Sequence, residues 1–252
     1  QGEWSMVLHL NGPDLPFRFA LNKDGADAWT MHVRNGEEDI VVDDVELRGD
    51  SLLIRMPLFD SEFKGVLLND SAIAGHWFNY LKGPDYKVPF NAMAGQPRSA
   101  VETRTSPAYV DGNWRALFSA GTTEAYNAIG IFNNEGGGDV SGTFLTETGD
   151  YRYLAGSVYG DSMQLSCFDG SHAFLFKAVL RNDSLLGRYW SGTHWQEPWL
   201  AVRNPTFHLR DPDSLTFLKE GYDMVDFSFP SIDGGSVSPK DARHAGHVDG
   251  VV

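Results

Sequence analysis

Two stretches of this sequence repeat one pattern about 110 residues apart. Residues 49–77 read GDSLLIRMPLFDSEFKGVLLNDSAIAGHW, and residues 160–190 read GDSMQLSCFDGSHAFLFKAVLRNDSLLGRYW. Both contain a Gly-Asp-Ser opening, a Phe-Asp pair, an aromatic-Lys strand, an Asn-Asp-Ser turn and a Gly before a closing Trp. The first strands also agree, with GEW at residues 2–4 and GNW at residues 112–114. The chain is therefore a duplication, and we expect its halves to share one architecture.

Short segments within each half alternate apolar and polar residues, and turn residues separate them. Residues 15–21 (LPFRFAL) alternate after the turn sequence NGPD at 11–14. Asn-Gly at 35–36 is a strong signal for a two-residue hairpin, because both positions accept a positive φ. We find no convincing amphipathic helix of any length. The pattern predicts an all-β fold.

A duplicated set of antiparallel strands has two common outcomes. The halves form two small sandwiches side by side, or they close into one larger barrel or sandwich with a pseudo-twofold axis. Closure removes unpaired strand edges, which favours the second outcome. We therefore predict an all-β antiparallel barrel or sandwich built from two pseudo-repeats. The predicted boundaries are pseudo-repeat 1 at 1–94, a polar linker at 95–111, an interlocked pseudo-repeat 2 at 112–202, and an extension at 203–252.

Composition excludes several classes of partner. The chain of 252 residues has 20 basic and 34 acidic side chains, a formal net charge of −14, which repels nucleic acid because phosphate binding needs clustered cations. No apolar run approaches the roughly 20 residues of a membrane-spanning helix. Cys167 is the single cysteine, which excludes an internal disulfide, and His244 and His247 lack the helical context that would let them hold a metal. We predict no nucleic-acid partner, transmembrane segment, metal or cofactor, and we interpret Cys167 as a small buried residue rather than a reactive thiol.

The densest polar and aromatic block is TFLTETGDYRY at residues 143–153. It is either a hairpin in which Arg152 faces a carboxylate, or the floor of a pocket that orients a ligand. Aromatic residues near strand ends either fill the core or stack on sugars and peptides. These aromatic residues are Trp77, Phe78, Tyr80, Trp190, His194, Trp195 and Trp199. The candidate ligand-binding residues are Thr146, Glu147, Asp150, Tyr151, Arg152 and Trp195.

Pairs of carboxylates offer a possible route to glycoside hydrolysis. The candidates are Asp60 with Glu62, Glu147 with Asp150, and Asp169 alone. Asp60 and Asp169 follow a Phe at equivalent places in the two halves. This favours a turn or strand-end role for them, because a catalytic site is rarely built twice. A hydrolase is therefore the weakest function considered, and no catalytic residue is predicted.

Several longer strings together resemble the N-terminal region of TlpA-like thioredoxin-fold proteins from the Bacteroidetes, and this resemblance spans essentially the whole chain. They are LPFRF (15–19), PLFDSEFKG (57–65), YLKGPDYKVPF (80–90), SGTFLTETGDYRYLAG (141–156), LSCFDGSHAFLFKA (165–178), YWSGTHWQEPW (189–199) and FSFPSIDGGSVS (227–238). In that family a Phe-x-Phe-Pro-x-x-Asp-Gly segment opens the thioredoxin-like domain, and a Trp-Cys-x-x-Cys active site follows.

Residues 227–238 match this opening, whereas residues 240–252 match only loosely, with His247 and Asp249 in place of a Lys and an apolar strand residue. The redox motif does not occur, so the resemblance supplies no catalytic residue, and thiol–disulfide exchange is not expected of this chain. Whether the chain is part of an enzyme is left open.

The first residue is Gln1 rather than Met, which we interpret as the residue after a cleaved signal peptide. We therefore expect an exported protein of the periplasm or cell envelope. The resemblance implies a non-catalytic accessory domain that docks a partner or substrate for a redox domain encoded after Val252. The alternative is a stand-alone cell-envelope protein that binds a glycan or a small ligand.

Overall fold

The computed structural model describes residues 2–24, 28–95 and 108–241, and it confirms the all-β prediction. Residues 96–107 of the predicted linker lie outside the described residues, as do His244, His247 and the rest of 242–252. Within the described part, the helical segments are two three-residue 3-10 helices, Tyr80–Lys82 and Pro212–Ser214. No helix in this part has the length and hydropathy needed to span a bilayer.

Eight strands of the first half form a closed antiparallel barrel, here called barrel 1. Each strand pairs with the next along the chain, and the last pairs back to the first, so this half has no free sheet edge. The 3-10 helix Tyr80–Lys82 connects the last two strands. The strands are β1 (Gly2–His9), β2 (Asp14–Asp24), β3 (Ala28–Asn35), β4 (Glu38–Arg48), β5 (Ser51–Arg55), β6 (Ser61–Asn69), β7 (Ala72–Asn79) and β8 (Lys87–Ala94).

The second half repeats this meander as barrel 2, closed by the pairings of β9 with β17 and of β10 with β11. A two-residue strand, β12, adds to the end of β11. The strands are β9 (Gly112–Phe118), β10 (Tyr126–Gly136), β11 (Asp139–Thr146), β12 (Gly149–Asp150), β13 (Leu154–Tyr159), β14 (Ser162–Phe168), β15 (Ala173–Arg181), β16 (Ser184–Ser191) and β17 (Trp195–Arg203).

The repeat is therefore present as two barrels, and closure takes place within each half. This differs from the single larger barrel that the sequence favoured. The physical reason is strand number: about eight tilted strands suffice to close a sheet whose interior side chains fill. Phe19, Phe63 and Trp77 are fully buried inside barrel 1, and Phe144 and Phe176 are fully buried inside barrel 2.

The strand register corrects the alignment of the two halves at the closing Trp. Phe63 lies opposite Trp77 in barrel 1, and the equivalent Phe176 lies opposite Tyr189 in barrel 2. Tyr189 is therefore the counterpart of Trp77, and Trp190 is one residue further along. A shift of one residue reverses the face of a strand. Accordingly, Trp190 points out of barrel 2 and packs against the core of barrel 1.

The β14–β15 turn of barrel 2 inserts into the core at one end of barrel 1. Phe168 is fully buried among barrel 1 side chains and stacks on Phe17 with ring centroids 4.6 Å apart. Asn79 Nδ2 donates a hydrogen bond of 2.9 Å to the carbonyl oxygen of Ser171 in this turn. The insertion removes a large aromatic ring from water, and burial of that kind stabilises by about 1.5–3 kcal/mol.

A second compact unit begins at Arg210. Its described part contains the 3-10 helix Pro212–Ser214 and a hairpin of two short strands, β18 (Phe229–Pro230) and β19 (Ser236–Val237). This hairpin lies within residues 227–238, the segment that resembles the opening of a thioredoxin-like domain.

Candidate ligand-binding cleft

A cleft of about 470 Å³ lies between the two barrels. Its floor is the outer face of β10 and β11, and one wall is the β3–β4 turn of barrel 1. The other wall is the segment around β12 that leads into β13. The lining residues are Gly36, Glu37, Glu38, Ile131, Asn133, Ser141, Gly142, Thr143, Asp150, Arg152, Tyr153 and Leu154.

The β3–β4 turn brings two acidic residues to the cleft. Gly36 has a φ of +57°, a conformation that glycine adopts without strain. Asn35 pairs with Glu38 across this turn, so the two turn residues are Gly36 and Glu37. Glu37 is exposed at the rim, and Glu38 is half-buried.

Arg152 connects the barrels beneath the cleft. Its Nη2 donates to the Glu38 carboxylate of barrel 1, and its Nε lies 3.1 Å from Oδ2 of the buried Asp169. Burial alone would lower the pKa of Arg152, but the charges of Asp169 and Glu38 raise it above its ordinary value. The guanidinium therefore stays charged. Arg152 faces carboxylates, as the hairpin interpretation expected, but it lies after β12 and outside the hairpin, and its partners belong to β4 and to the β14–β15 turn.

The floor of the cleft contains a buried hydroxyl whose hydrogen-bonding capacity is unused. Thr143 Oγ1 is inaccessible to solvent, and within the described part of the chain it has no hydrogen-bond partner. Thr143 follows Gly142 on β11, on the face opposite the buried Phe144. Burying a hydroxyl without a partner costs roughly 1–3 kcal/mol.

A separate polar cluster lies at one end of barrel 2 around Glu197, a carboxylate that is only 5% exposed. Ser119 Oγ donates to its Oε2 at 2.6 Å, while the Tyr126 hydroxyl and Trp195 Nε1 donate to its Oε1 at 3.0 and 3.2 Å. The Tyr126 and Tyr151 hydroxyls lie 2.7 Å apart. Burial is the main cause that raises the pKa of both tyrosines, so these hydroxyls remain protonated.

The predicted ligand-binding residues are thus divided among three places. Asp150 and Arg152 line the cleft, whereas Tyr151 and Trp195 belong to the Glu197 cluster. Thr146 stabilises the turn after β11, since its Oγ1 donates to the Gly149 carbonyl at 2.8 Å.

Glu147 occupies the same turn. Asp150 also has a local role, because its Oδ1 accepts the Arg152 N–H at 2.8 Å. The part of these residues in ligand binding remains a prediction.

Sequence reasoning missed Glu197, Tyr126 and the two acidic residues of the β3–β4 turn. A signal for Glu197 was present, because residues 195, 197 and 199 share one face of a strand. No local sequence pattern predicts that Glu37 and Glu38 line the cleft, because this depends on how barrel 1 packs against barrel 2.

The remaining candidates have structural surroundings. Asp169 Oδ1 accepts the backbone N–H groups of Ser171 and His172 at 2.9 and 2.6 Å, which is the turn role expected for it. Glu62 instead bonds to Lys64 at 2.6 Å on the surface of barrel 1. Cys167 is fully buried, and burial raises the pKa of its thiol. The described residues contain no group of three or more His, Cys, Asp or Glu placed to hold a metal.

Some of the aromatic residues near strand ends fill the core, and others are exposed at the surface. Trp77 and Trp199 are core residues, with exposures of 0% and 3%. Trp195 is 48% exposed and can present a ring face to a ligand. Phe78 and Tyr80 are half-buried on the surface and stack on each other with centroids 6.2 Å apart.

No protein-family model and no curated protein matches this sequence. Several solved structures share some similarity, including the following three. A protein of unknown function of the DUF3598 family from Nostoc punctiforme is 11% identical, with a TM-score of 0.24 over 79% of this chain and 94% of that chain. A candidate outer membrane protein from Bacteroides fragilis is 7% identical, with a TM-score of 0.26 over the same shares.

A point mutant of transferrin binding protein B from Haemophilus parasuis is 10% identical, with a TM-score of 0.20 over 80% of this chain and 44% of that chain. Similarity at this level says nothing about function, and the TlpA-like resemblance stays a prediction.

Proposed function

We propose that this chain is a non-catalytic binding domain of an exported TlpA-like protein, in the periplasm or cell envelope. In this role it docks a partner or substrate protein for a redox domain. The observation that carries the binding role is the cleft between the barrels, whose volume of about 470 Å³ lies in the range of roughly 300–1,000 Å³ typical of ligand sites.

The charge of the cleft favours a basic segment of a partner. Three carboxylates line it, on Glu37, Glu38 and Asp150, against the single guanidinium of Arg152. Arg152 is occupied by Glu38 and by the buried Asp169. Glu37 and Asp150 therefore leave negative charge at the rim for a Lys or Arg side chain of the ligand.

Cys167 supports a role without thiol chemistry of its own. A reactive cysteine is exposed and has a lowered pKa, because the thiolate is the nucleophile. Cys167 has neither property, since it is fully buried and burial raises its pKa.

Calorimetric titration with two short peptides tests the binding role. We expect Gly-Lys-Ala-Lys-Gly to bind and its counterpart Gly-Glu-Ala-Glu-Gly not to bind. The Glu37→Gln change should weaken binding up to about fivefold, the worth of one exposed ion pair.

Asp50→Asn is the matched control, because Asp50 is an exposed carboxylate in the β4–β5 turn at the other end of barrel 1. It should leave the affinity unchanged. Equal binding of the two peptides would contradict a site in the cleft. A loss of affinity in Asp50→Asn equal to that in Glu37→Gln would contradict it as well.

The intact mass of the protein from its native source tests the association with a redox domain. A mass larger than 27.9 kDa by a domain of about 100 residues or more is the expected result. A mass near 27.9 kDa would contradict the accessory role and favour the alternative function.

The alternative, a stand-alone envelope protein that binds a glycan, has its own structural support. Tyr153 is 52% exposed in the cleft wall, and Trp195 is 48% exposed at the end of barrel 2. Such aromatic faces stack on sugar rings. Titration of the protein with a panel of neutral glycans, followed by tryptophan fluorescence, tests this function. Trp195→Ala serves as the variant. An unchanged spectrum across the panel would count against it.

A further inference from the structure

A second groove, of about 510 Å³, lies on the outer face of barrel 2 and has no part in the function proposed above. Strands β13 to β16 form it. Its polar and apolar side chains include Ser157, Tyr159, Gln164, Lys177, Leu186 and Arg188.

Two cations stand side by side in this groove. Lys177 on β15 lies directly opposite Arg188 on β16 in the antiparallel register. Side chains in such positions have Cβ atoms about 5 Å apart, and like charges there destabilise the sheet. The arrangement is unexpected in a chain with 34 acidic and only 20 basic side chains.

No carboxylate compensates this pair. Arg188 Nη1 donates to the neutral Gln196 Oε1 at 3.5 Å, and within the described part of the chain neither cation takes part in an ion pair. Along the same cross-strand row the neighbours of Lys177 are Gln164, then Ser157, then Asp139. Three strand spacings amount to about 14 Å, which exceeds the screening length of about 8 Å at physiological salt.

Several other basic residues on the outer faces do have acidic partners. Arg55 lies 2.9 Å from both Asp44 and Glu46, and Arg181 pairs with Asp161. Barrel 1 has a comparable pair, Arg18 opposite Arg34, but there Arg34 lies 3.9 Å from Glu3. The pair in the groove differs because neither of its cations has an acidic partner among the described residues.

We propose that this groove binds a small ligand through an oxyanion group, a carboxylate or a phosphate, that lies between Lys177 and Arg188. The two cations then supply charge-assisted hydrogen bonds to one anion instead of repelling each other. The half-buried Gln164 adds an amide donor beside Lys177. Leu186, which is 52% exposed, and Tyr159, which is 37% exposed, offer apolar surface to the rest of the ligand.

Thermal unfolding of the whole chain tests this site with two matched pairs of additives. Phosphate is compared with chloride at equal ionic strength, and glucuronate is compared with glucose, which has a hydroxymethyl group in place of the carboxylate. A ligand at ten times its dissociation constant should raise the Tm by about 3 °C or more. We expect such a rise with phosphate, with glucuronate or with both. The additive that raises the Tm shows whether the groove binds a phosphate or a carboxylate.

The variant Lys177→Gln/Arg188→Gln should lose this rise. Without additives it should be no less stable than the wild type at low salt, because the repulsion between the cations is removed. Arg48→Gln/Lys87→Gln has the same net charge, changes two exposed residues of barrel 1, and should keep the rise.

Equal shifts in all three proteins, or no shift in the wild type with either anion, would overturn the proposal. Peptide binding by the cleft is measured separately and should be unchanged in Lys177→Gln/Arg188→Gln, so failure of one site leaves the other intact.

Discussion

Asn35 of barrel 1 holds the backbone of Phe168 of barrel 2 with both atoms of its side-chain amide. Its Nδ2 donates to the Phe168 carbonyl oxygen at 2.9 Å, and its Oδ1 accepts the Phe168 N–H at 3.1 Å. Asn35 is only 1% exposed, and Phe168 is fully buried in the core of barrel 1. The amide thus pairs with the Phe168 backbone as a residue of a neighbouring strand would. It holds in place the β14–β15 turn that inserts into barrel 1.

The Asn35→Ala change should destabilise the protein by about 3 kcal/mol, because it leaves two buried backbone groups of Phe168 without partners. Denaturant unfolding followed by tryptophan fluorescence measures this loss. Asn11→Ala is the matched control, since Asn11 also bonds across the barrels, to the Thr193 carbonyl at 3.0 Å, but is exposed. The control should cost less than about 0.5 kcal/mol. Equal losses in the two variants would show that the buried bonds have no special role.

The same asparagine shows which part of the fold the sequence could and could not predict. The Asn-Gly pair at 35–36 correctly indicated a hairpin, but the turn residues are Gly36 and Glu37. Asn35 ends β3, and its amide bonds to the Phe168 backbone of barrel 2 as well as to the Glu38 carboxylate across the turn, at 3.0 Å. Turn chemistry is local and can be read from the sequence, whereas the partner of a buried amide depends on how distant elements pack.

The candidate site could likewise be predicted only in part from the sequence. Residues 143–153 were recognised as a polar and aromatic block, yet Tyr151 contributes to a cluster inside barrel 2 and Arg152 to a contact with barrel 1. Adjacent residues there point in opposite directions, so one block in the sequence becomes parts of two sites. Glu37 reaches the cleft only through the packing of two barrels, and a single sequence offers no signal for that contact.

Replacing Glu197 by Ala should destabilise barrel 2 by about 3 kcal/mol. The change removes a buried acceptor, and the Ser119, Tyr126 and Trp195 donors lose their partner. Glu197→Gln should cost less, because an amide oxygen keeps part of these bonds. The free energy of unfolding in denaturant checks both values, and a loss for Glu197→Ala below that of Glu197→Gln would contradict this account of the cluster.

The Cys167 thiol should resist modification in the folded protein. It is fully buried, and burial raises its pKa, so both access and thiolate character are low. Iodoacetamide at pH 8, followed by mass measurement, should leave the native protein unmodified over an hour. The same reagent should modify it fully in guanidinium chloride, which serves as the control. Alkylation of the native protein at the rate of a free thiol would contradict the burial of Cys167.

Acid should weaken the junction between the barrels through Asp169. Burial alone would raise the pKa of this carboxyl, but hydrogen bonds from the His172 side chain and backbone, the charge of His172, and the Ser171 N–H lower it below its ordinary value. A group whose pKa is lower in the folded than in the unfolded state adds stability above the unfolded pKa of about 3.9. That contribution is lost as the pH falls through the folded pKa.

Asp169→Asn removes the titrating group while keeping its shape, so the variant should be less stable than the wild type at pH 7. The difference in unfolding free energy should stay constant down to about pH 4 and should shrink below it, as the wild-type carboxyl becomes protonated. Urea unfolding of both proteins from pH 7 to pH 2 measures this difference, with Asp50→Asn as an exposed control. A gap that remains constant to pH 2 would show that the ionised Asp169 does not stabilise the junction.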